Sequence, residues 1–257
     1  MKHKFIQVRN EGRIGMIQLH RPQVMNALNR TMIDEIVQQL ESFDQDSSIR
    51  IIVLYGNEKA FAAGADIEEM RGESPLSLEL LDPFAVWDRI SLIKKPVIAA
   101  VNGVALGGGF ELALHCDLII AAEDASFGFP EVKLGVMPGA GGTQFLTKAM
   151  GQAKALEWIW LGDPMSAYEA AHYGIVNRVV HPEMVMEETM KLATRLEKQA
   201  PISLRLIKEA VKRAVDSPLM EGKQFERKNF YIAFDSRDQK EGMEAFSEKR
   251  RPDFKGE

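Results

Sequence analysis

The first two-thirds of the chain alternates between short apolar runs and amphipathic stretches. Near-continuous apolar runs rich in β-branched residues lie at 51–54, 97–101 and 118–122, as is typical of strands buried on both faces. Residues 14–19 are also strand-like. Residues 31–43 carry apolar side chains at helical spacing, which predicts an amphipathic helix. This order of elements predicts βαβ units and an α/β core.

The pattern changes after about residue 150, where helical periodicity dominates. Five stretches are predicted as helices: 152–161, 166–173, 183–199, 203–215 and 219–234. A short strand-like run, 175–180, lies among them. The fourth stretch carries an apolar stripe formed by Leu204, Ile207, Val211 and Ala214. We expect this region to pack on the core or to form an oligomer surface, rather than to fold as an independent domain.

Composition narrows the class of protein. The 257 residues are 46% hydrophobic and carry a formal net charge of −5 without a block of like charges, so no nucleic-acid or anionic-membrane partner is indicated. The single cysteine, Cys116, excludes an internal disulfide and fits a reducing compartment. A strand-like pattern begins near residue 5 without a preceding signal-type apolar run, and no apolar stretch is long enough to span a bilayer. We expect a cytoplasmic protein.

Two glycine-rich loops, 103–109 and 135–143, suggest a site that uses backbone donors. Neither loop matches the dinucleotide fingerprint or the P-loop. A glycine loop that opens a helix exposes N–H groups, which suit a developing oxyanion, although a tight packed turn is an equal alternative for one loop alone. A third loop of small residues, 60–66, follows the predicted strand 51–54. Because ligands bind at the carboxyl ends of such strands, two strand-end loops could each supply one N–H to the same oxygen.

Two glutamates, Glu111 and Glu131, lie in apolar surroundings beside these glycine loops. An apolar pocket raises the pKa of a carboxyl group, and two such groups close together suit acid–base chemistry. Either glutamate alone would more simply be a helix-terminus or surface charge. The shared glycine loops favour the catalytic interpretation. At the end of the predicted helix, His115 and Cys116 are expected to be packing residues.

A metal site is not predicted, because the five histidines show no ligand spacing. They are His3, His20, His115, His172 and His181.

The same segments resemble the crotonase (enoyl-CoA hydratase/isomerase) superfamily, and the loop 138–143 resembles its short-chain enoyl-CoA hydratases. The resemblance rests on the motifs 62–66 (AAGAD), 95–103 (KPVIAAVNG), 107–111 (GGGFE) and 130–135 (PEVKLG), and extends from Arg21-Pro22 and Asn26-Ala27-Leu28 to the tail Phe246–Arg250. It therefore covers essentially the whole chain. It implies an α/β fold with a crotonase-like β-β-α superhelix core, residues 1–195, and a helical C-terminal trimerisation region, residues 196–257, within one overall domain.

The resemblance also implies the chemistry. Members hydrate trans-2-enoyl-CoA to 3-hydroxyacyl-CoA with two glutamates, here Glu111 and Glu131. The N–H groups of Ala65 and Gly108 would form the oxyanion hole. Further contacts to the acyl-CoA substrate are implied for Ala63, Asp66, Ile67, Phe246 and Lys249, the last two reaching a neighbouring subunit. The family needs no cofactor beyond the CoA moiety of its substrate and no metal, serves fatty-acid metabolism including β-oxidation, and forms homo-hexamers built as dimers of trimers.

Departures from the family pattern and two alternatives stay open. Glu68 stands where several relatives carry a lysine near the CoA, so that ion pair is not expected here. Phe129 stands where hydratases often have a polar residue and the loop 71–82 is divergent, and both could alter acyl-chain preference. Another crotonase-fold enzyme, such as a Δ3-Δ2-enoyl-CoA isomerase, is the first alternative. A more distant one is an RNA-binding homologue, but glutamates are interleaved with the lysines and arginines of 187–213, which is typical of solvated helix faces.

Overall fold

The computed structural model of the chain describes residues 3–257. Its strands are β1 (Ile6–Glu11), β2 (Ile14–Leu19), β3 (Ile51–Tyr55), β4 (Ala60–Ala62), β5 (Val97–Val101), β6 (Val104–Leu106), β7 (Leu118–Ala122), β8 (Ser126–Gly128), β9 (Met165–Ser166) and β10 (Arg178–Val180). Its α-helices are α1 (Arg30–Gln45), α2 (Ile67–Met70), α3 (Pro75–Leu81), α4 (Ala85–Asp88), α5 (Gly108–His115), α6 (Gly142–Met150), α7 (Gln152–Leu161), α8 (Ala167–His172), α9 (Val185–Glu197), α10 (Pro201–Ala214), α11 (Leu219–Phe234) and α12 (Arg237–Glu248). Short 3-10 turns lie at Pro22–Val24, Arg89–Leu92, Pro130–Leu134 and Pro182–Met184.

The strands form two sheets that the chain visits in turn. The larger sheet has the order β1-β2-β3-β5-β7-β10 and the smaller one β4-β6-β8-β9. Three successive passes add a strand to the large sheet, then one to the small sheet, and then one or more helices. The strands of these passes pair in parallel within each sheet. This is the β-β-α repeat that the resemblance implied, and the predicted α/β fold is confirmed.

The predicted core elements match the observed ones closely. Strands β3, β5 and β7 lie inside the large sheet and are almost fully buried, which explains their continuous apolar sequences. Helix α1 begins after Asn29, whose side chain accepts a hydrogen bond from the Met32 N–H at 2.9 Å. The buried face of α1 consists of the six apolar residues of the predicted stripe: Met32, Ile33, Ile36, Val37, Leu40 and Phe43.

The small sheet was not predicted. Residues 60–66 and 103–109 were expected to be loops, yet each contains a three-residue strand, β4 and β6, and these two strands pair in parallel. Three residues carry too little periodicity to predict a strand. By pairing with each other, strands β4 and β6 hold the glycine-containing segments that follow them against the core.

The C-terminal third is helical, as predicted, with two differences. The strand expected over 175–180 is confined to Arg178–Val180, and helix α12 has no counterpart among the predicted helices because charged residues dominate its sequence. Within the apolar stripe of α10, Ile207 and Val211 are 59% and 62% exposed in the single chain. The division predicted at 195/196 falls in the last turn of α9, a helix that packs on β3, β5 and β7.

An interior ion pair joins the helical region to the core. The Lys208 ammonium of α10 donates to Asp117 Oδ2 at 2.5 Å and to the Lys95 carbonyl at 2.8 Å. The same Asp117 oxygen accepts the Val97 N–H at the start of β5. Helix α10 is therefore fixed to the N-terminal ends of the interior strands β5 and β7. None of the helices within residues 3–257 combines the length and the apolar character needed to cross a membrane.

Candidate active site

Glu111 lies in the first turn of α5 and is only 3% exposed. Its Oε1 accepts two backbone hydrogen bonds, from the Ala140 N–H at 2.7 Å and from the Gly142 N–H at 2.8 Å. Both donors belong to the second glycine-rich loop, just where α6 begins. Burial raises the pKa of Glu111, and the hydrogen bonds from Gly142 and Ala140 offset only part of this rise. The second loop thus stabilises a carboxylate of the protein itself, a contact that the sequence did not reveal.

Glu131 follows β8 in the turn Pro130–Leu134 and has different surroundings. Its Oε2 is buried and has no hydrogen-bond partner within residues 3–257. Burial, and to a smaller degree the charge of Glu111, raise the pKa of Glu131 to about 7, against a backbone hydrogen bond that lowers it. Its Oε1 lies 2.8 Å from the position that a Cβ atom on Gly107 would occupy. A Cβ atom at position 107 would displace this carboxyl group, and the positive φ of 49° at Gly107 also favours glycine.

The backbone N–H groups of Ala65 and Gly108 lie near one another. A Cβ atom on Gly108 would be 3.6 Å from the Ala65 nitrogen. Gly108 is the first residue of α5, so its N–H has no acceptor within the helix. Neither N–H donates to a backbone or side-chain acceptor in the part of the chain that the structure describes. The structure therefore brings together the two strand-end loops that were predicted to supply one donor each.

The segment before α1 holds the Ala65 loop in place. Leu28 donates its N–H to the Gly64 carbonyl at 2.7 Å, and Asp66 donates its N–H to the Leu28 carbonyl at 2.9 Å. Ala63 donates its N–H to the Met25 carbonyl at 3.0 Å. The β-bridge between Leu28 and Ala65 thus uses the Gly64 carbonyl and the Asp66 N–H, one on each side of Ala65, and does not use the Ala65 N–H.

Asn26 fixes the same segment from inside the protein and was recognised in the sequence only as part of a motif. It is fully buried, with a left-handed backbone at φ 57°. Its side-chain amide donates to the carbonyls of Ala60 and Phe61, both at 3.1 Å, and its Oδ1 accepts the Arg21 N–H at 2.8 Å. One side chain therefore ties the 25–28 segment to β4.

A cavity of about 780 Å³ opens beside these donors. Its wall includes Ala65, Asp66 and the apolar side chains Leu28, Ile33, Met70, Leu78, Leu81, Phe84, Val86, Trp87, Val136 and Met137. Two lining residues connect the cavity to the site: Gly139 adjoins Ala140, whose N–H donates to Glu111, and Trp87 is 3.8 Å from the Cβ position of Gly108. The cavity gives an apolar ligand access to the Ala65 N–H.

Several residues that line the cavity were not recognised as site residues from the sequence. The divergent loop 71–82 contains α3, and its Leu78 and Leu81 line the cavity, so this loop does contribute to the wall. Phe84 and Trp87 were not singled out, because the short helix α4 shows no clear periodicity. Phe129, in contrast, is only 2% exposed and stacks on Phe110 rather than lining the cavity.

The predicted CoA contacts fall into two groups. Asp66 lies at the cavity, accepts a hydrogen bond from Arg21 at 3.0 Å and caps α2, while Ile67 and Glu68 are exposed beside it. Phe246 and Lys249 lie at the end of α12, where Phe246 is 87% exposed and lines a separate groove between C-terminal helices. A single chain does not bring this second group to the glutamates.

The described residues hold no group of three or more histidine, cysteine, aspartate or glutamate side chains that could bind a metal ion. The predictions of a metal-free and cofactor-free reaction stay predictions.

Two carboxyl groups and two backbone N–H donors beside a largely apolar cavity are the groups that an acid–base enzyme needs to stabilise an oxyanion. Residues 9–257 match the model of the enoyl-CoA hydratase/isomerase family, and the chain belongs to this family. A probable enoyl-CoA hydratase of Rhizobium meliloti is 47% identical, with 99% of each chain covered. The 2,3-dehydroadipyl-CoA hydratase of Escherichia coli is 40% identical, covering 97% of this chain and 98% of that one.

Solved structures agree with this assignment. An enoyl-CoA hydratase subunit I from Geobacillus kaustophilus has a TM-score of 0.98 at 63% identity, with both chains fully covered. An enoyl-CoA hydratase from Bacillus anthracis has a TM-score of 0.93 at 37% identity, covering 99% of this chain and 100% of that one. The predicted family and fold are thus confirmed.

Proposed function

We propose that this chain is an enoyl-CoA hydratase, which adds water across the 2,3 double bond of a trans-2-enoyl-CoA to give the 3-hydroxyacyl-CoA. The observation that carries the proposal is the pair of glutamates, Glu111 and Glu131, set beside the N–H groups of Ala65 and Gly108. Relatives named enoyl-CoA hydratases at 46–47% identity over most of the chain support the same reaction.

The thioester carbonyl oxygen binds to the N–H groups of Ala65 and Gly108. These donors polarise the conjugated thioester, and they bind more strongly as negative charge develops on the oxygen in the enolate-like transition state. Removal of one such donor typically costs about 3–4 kcal/mol of transition-state stabilisation. The glycine at 108 allows the substrate to approach the backbone closely.

The two glutamates divide the acid and base work according to their surroundings. The hydrogen bonds from Ala140 and Gly142 favour the ionised form of Glu111, which takes a proton from the attacking water as its oxygen bonds to C3. Glu131, with a pKa of about 7, retains its proton more readily and delivers it to C2. The water oxygen thus bonds to C3 as the double bond opens, one water proton goes to Glu111, and the Glu131 proton goes to C2. Transfer of one proton from Glu111 to Glu131 after the reaction restores the initial state, so the proposed cycle needs no cofactor or metal.

The CoA moiety extends from the thioester towards Ala63, Asp66 and Ile67 at the mouth of the cavity. Phe246 and Lys249 contact the CoA of a neighbouring subunit, which would explain why they lie apart from the glutamates within one chain. We therefore propose a trimer formed through the helical region, with two trimers making a hexamer. The expected setting is cytoplasmic fatty-acid β-oxidation.

The test is the loss of the ultraviolet absorbance of the conjugated thioester in crotonyl-CoA. Wild type should remove it rapidly, whereas Glu111→Gln and Glu131→Gln should each lower kcat by about a hundredfold or more, since each removes a proton-transfer group. Glutamine at 111 can still accept the two loop N–H groups, so the fold should be retained. Glu58→Gln, at an exposed position, is the matched control and should leave kcat unchanged.

Two outcomes would contradict this proposal. A folded wild type that binds crotonyl-CoA and longer enoyl-CoAs without hydrating them would reject hydratase activity. A 3-enoyl-CoA panel would then show whether the chain is an isomerase. Full activity in either glutamine variant would reject the two-glutamate mechanism.

A further inference from the structure

His115 lies in α5, one helical turn after Glu111, and both side chains contact the same loop residue. Glu111 Oε1 accepts the N–H of Ala140 at 2.7 Å, and His115 Nε2 lies 2.9 Å from the carbonyl oxygen of Ala140. Residues four apart share one face of a helix, so α5 holds both backbone groups of Ala140 from the same side. The hydrogen bond from Gly142 to Glu111 depends on the same stretch of loop.

The hydrogen bond between His115 and the Ala140 carbonyl determines which ring nitrogen of His115 carries the proton. A carbonyl oxygen only accepts hydrogen bonds, so Nε2 must be the donor and Nδ1 the unprotonated nitrogen. Nδ1 is buried and has no partner within residues 3–257. The Trp87 and Phe145 rings pack around the imidazole, with centroids 6.0 Å and 5.0 Å away. Burial disfavours the charged ring and lowers its pKa.

Packing alone does not account for a histidine at this position. The side chain is 8% exposed and lies among aromatic rings, where an apolar residue of similar size would avoid the burial of two ring nitrogens. The hydrogen bond to Ala140 is the interaction that an apolar residue could not make. The earlier expectation that His115 is a packing residue therefore describes only part of its contacts.

We infer that His115 is a positioning residue for Glu111: its Nε2–H holds the Ala140 carbonyl and so keeps the Ala140 and Gly142 N–H groups aimed at the Glu111 carboxylate. The inference rests on the proposed function for its kinetic consequences, whereas the hydrogen bond itself can be tested without activity. Without the histidine donor the loop loses this contact, and the two N–H groups hold Glu111 less well.

The charged groups around this pair set the expected pH dependence. Glu131 faces Glu111 across the site, and His115 has Lys212 of α10 and Asp88 of α4 in its surroundings. None of these is altered by a change at His115 to an uncharged side chain. Because the Ala140 and Gly142 N–H groups lower the pKa of Glu111, weakening them should raise that pKa. The acidic limb of the kcat profile should then move to higher pH.

Methionine and glutamine are a matched pair of replacements, because they have similar length and volume but only glutamine has a donor at the position of Nε2. His115→Met should lower kcat by about tenfold to a hundredfold, as a small misplacement of a catalytic group does, with KM for crotonyl-CoA little changed. The acidic limb of the pH profile of kcat for His115→Met should move to higher pH. His115→Gln should restore most of kcat and the wild-type pH profile. Equal kcat and equal pH profiles in the two variants would overturn the inference.

A spectroscopic measurement on the wild type does not depend on enzymatic activity. With ¹⁵N-labelled histidine, NMR should show one ring as the neutral Nε2–H tautomer from about pH 5 to pH 9, although an ordinary histidine titrates near pH 6.5. The signal that disappears in His115→Gln identifies it. An Nδ1–H tautomer or an ordinary titration would overturn the inference. Failure of wild type to hydrate any enoyl-CoA would instead reject the proposed function.

Discussion

At the scale of single residues, Glu111 and Glu131 differ in the hydrogen-bond donors that surround their carboxyl oxygens. Glu111 is the more buried, and the Ala140 and Gly142 N–H groups stabilise its carboxylate and so offset part of the rise in pKa that burial causes. Glu131 is only half-buried, but its buried Oε2 has no hydrogen-bond donor within residues 3–257, and its pKa is raised to about 7. Hydrogen bonding to the ionised form, rather than depth of burial, therefore separates the two groups.

The raised pKa of Glu131 predicts how stability depends on pH. Between its unfolded value near 4.3 and about 7, the folded protein retains a proton that the unfolded chain has released. The free energy of unfolding should therefore decrease through this window as pH rises, and this contribution should be constant above it. Because the carboxyl is partly exposed and solvent screens its interactions, we expect a loss of about 1–3 kcal/mol.

Denaturant unfolding of wild type and Glu131→Gln at a fixed protein concentration measures this contribution. Glutamine does not titrate, so the free energy of unfolding of the variant should fall less between pH 5 and pH 8 than that of wild type. The difference between the two curves isolates Glu131 from the other titrating groups. Parallel curves would contradict the raised pKa.

The sequence identified both glutamates but could not show what binds them. Their apolar neighbours and the adjacent glycine loops are local features, whereas Ala140 and Gly142 are 29 and 31 residues from Glu111. Both glycine loops expose N–H groups, and only the packing of α6 against α5 decides which loop binds a side chain. The contact between His115 and Ala140 depends on the same packing, so the sequence could not show it either.

At the scale of elements, the geometry of the Ala65 loop depends on the segment 25–28 that pairs with it. Asn26 is the central residue of this connection, because its NH₂ group donates to the Ala60 and Phe61 carbonyls of β4. Asn26→Asp keeps the shape of the side chain but replaces these donors by an oxygen. It would leave two buried carbonyls facing a carboxylate, and we expect a loss of roughly 3 kcal/mol in unfolding free energy. The Ala65 N–H would also move away from its position in the oxyanion hole, and kcat should therefore fall.

Asn57→Asp is the matched control for this prediction. Asn57 precedes the same strand, but its Oδ1 only accepts hydrogen bonds, from the N–H groups of Lys59 and Ala60. An aspartate retains both contacts, so stability and kcat should change little. Thermal melting and crotonyl-CoA kinetics on the two variants provide the comparison. Equal effects of the two substitutions would show that Asn26 does not position the loop.

Periodicity predicted the long elements and failed for the short ones. Helix α1 and strands β3, β5 and β7 each bury a complete face or both faces, so their sequences carry the pattern. Strands of the small sheet have two or three residues each, and their place in the fold is set by tertiary contacts. For this reason the sequence indicated an α/β core without its second sheet.

At the scale of the whole molecule, the C-terminal helices expose apolar side chains that a stable monomer would bury. A groove of about 900 Å³ runs between α10, α11 and α12. Its wall includes Ile207, Val211, Phe230, Phe234 and Phe246, each more than a third exposed. Contiguous apolar surface of this kind is typical of a protein–protein contact, which supports the proposed trimer.

Val211→Asp tests this proposal, because it places a charge in the middle of the groove wall. Light scattering should give wild type a mass of three or six times the 28.8 kDa of one chain. The variant should have the mass of one chain, since an unpaired charge in an apolar contact opposes association. Leu92→Asp, at a 73% exposed leucine outside the groove, is the control and should retain the wild-type mass.

The Val211→Asp variant also separates the effect of assembly on CoA binding from its effect on catalysis. If Phe246 and Lys249 contact the CoA of a neighbouring subunit, the monomeric Val211→Asp protein should show a higher KM for crotonyl-CoA, because those contacts are lost. The glutamates and the Ala65 and Gly108 donors belong to one chain, so kcat should fall less than the affinity does. A monomeric wild type would reject the trimer. A variant that dissociates with an unchanged KM would place the CoA contacts entirely within one chain.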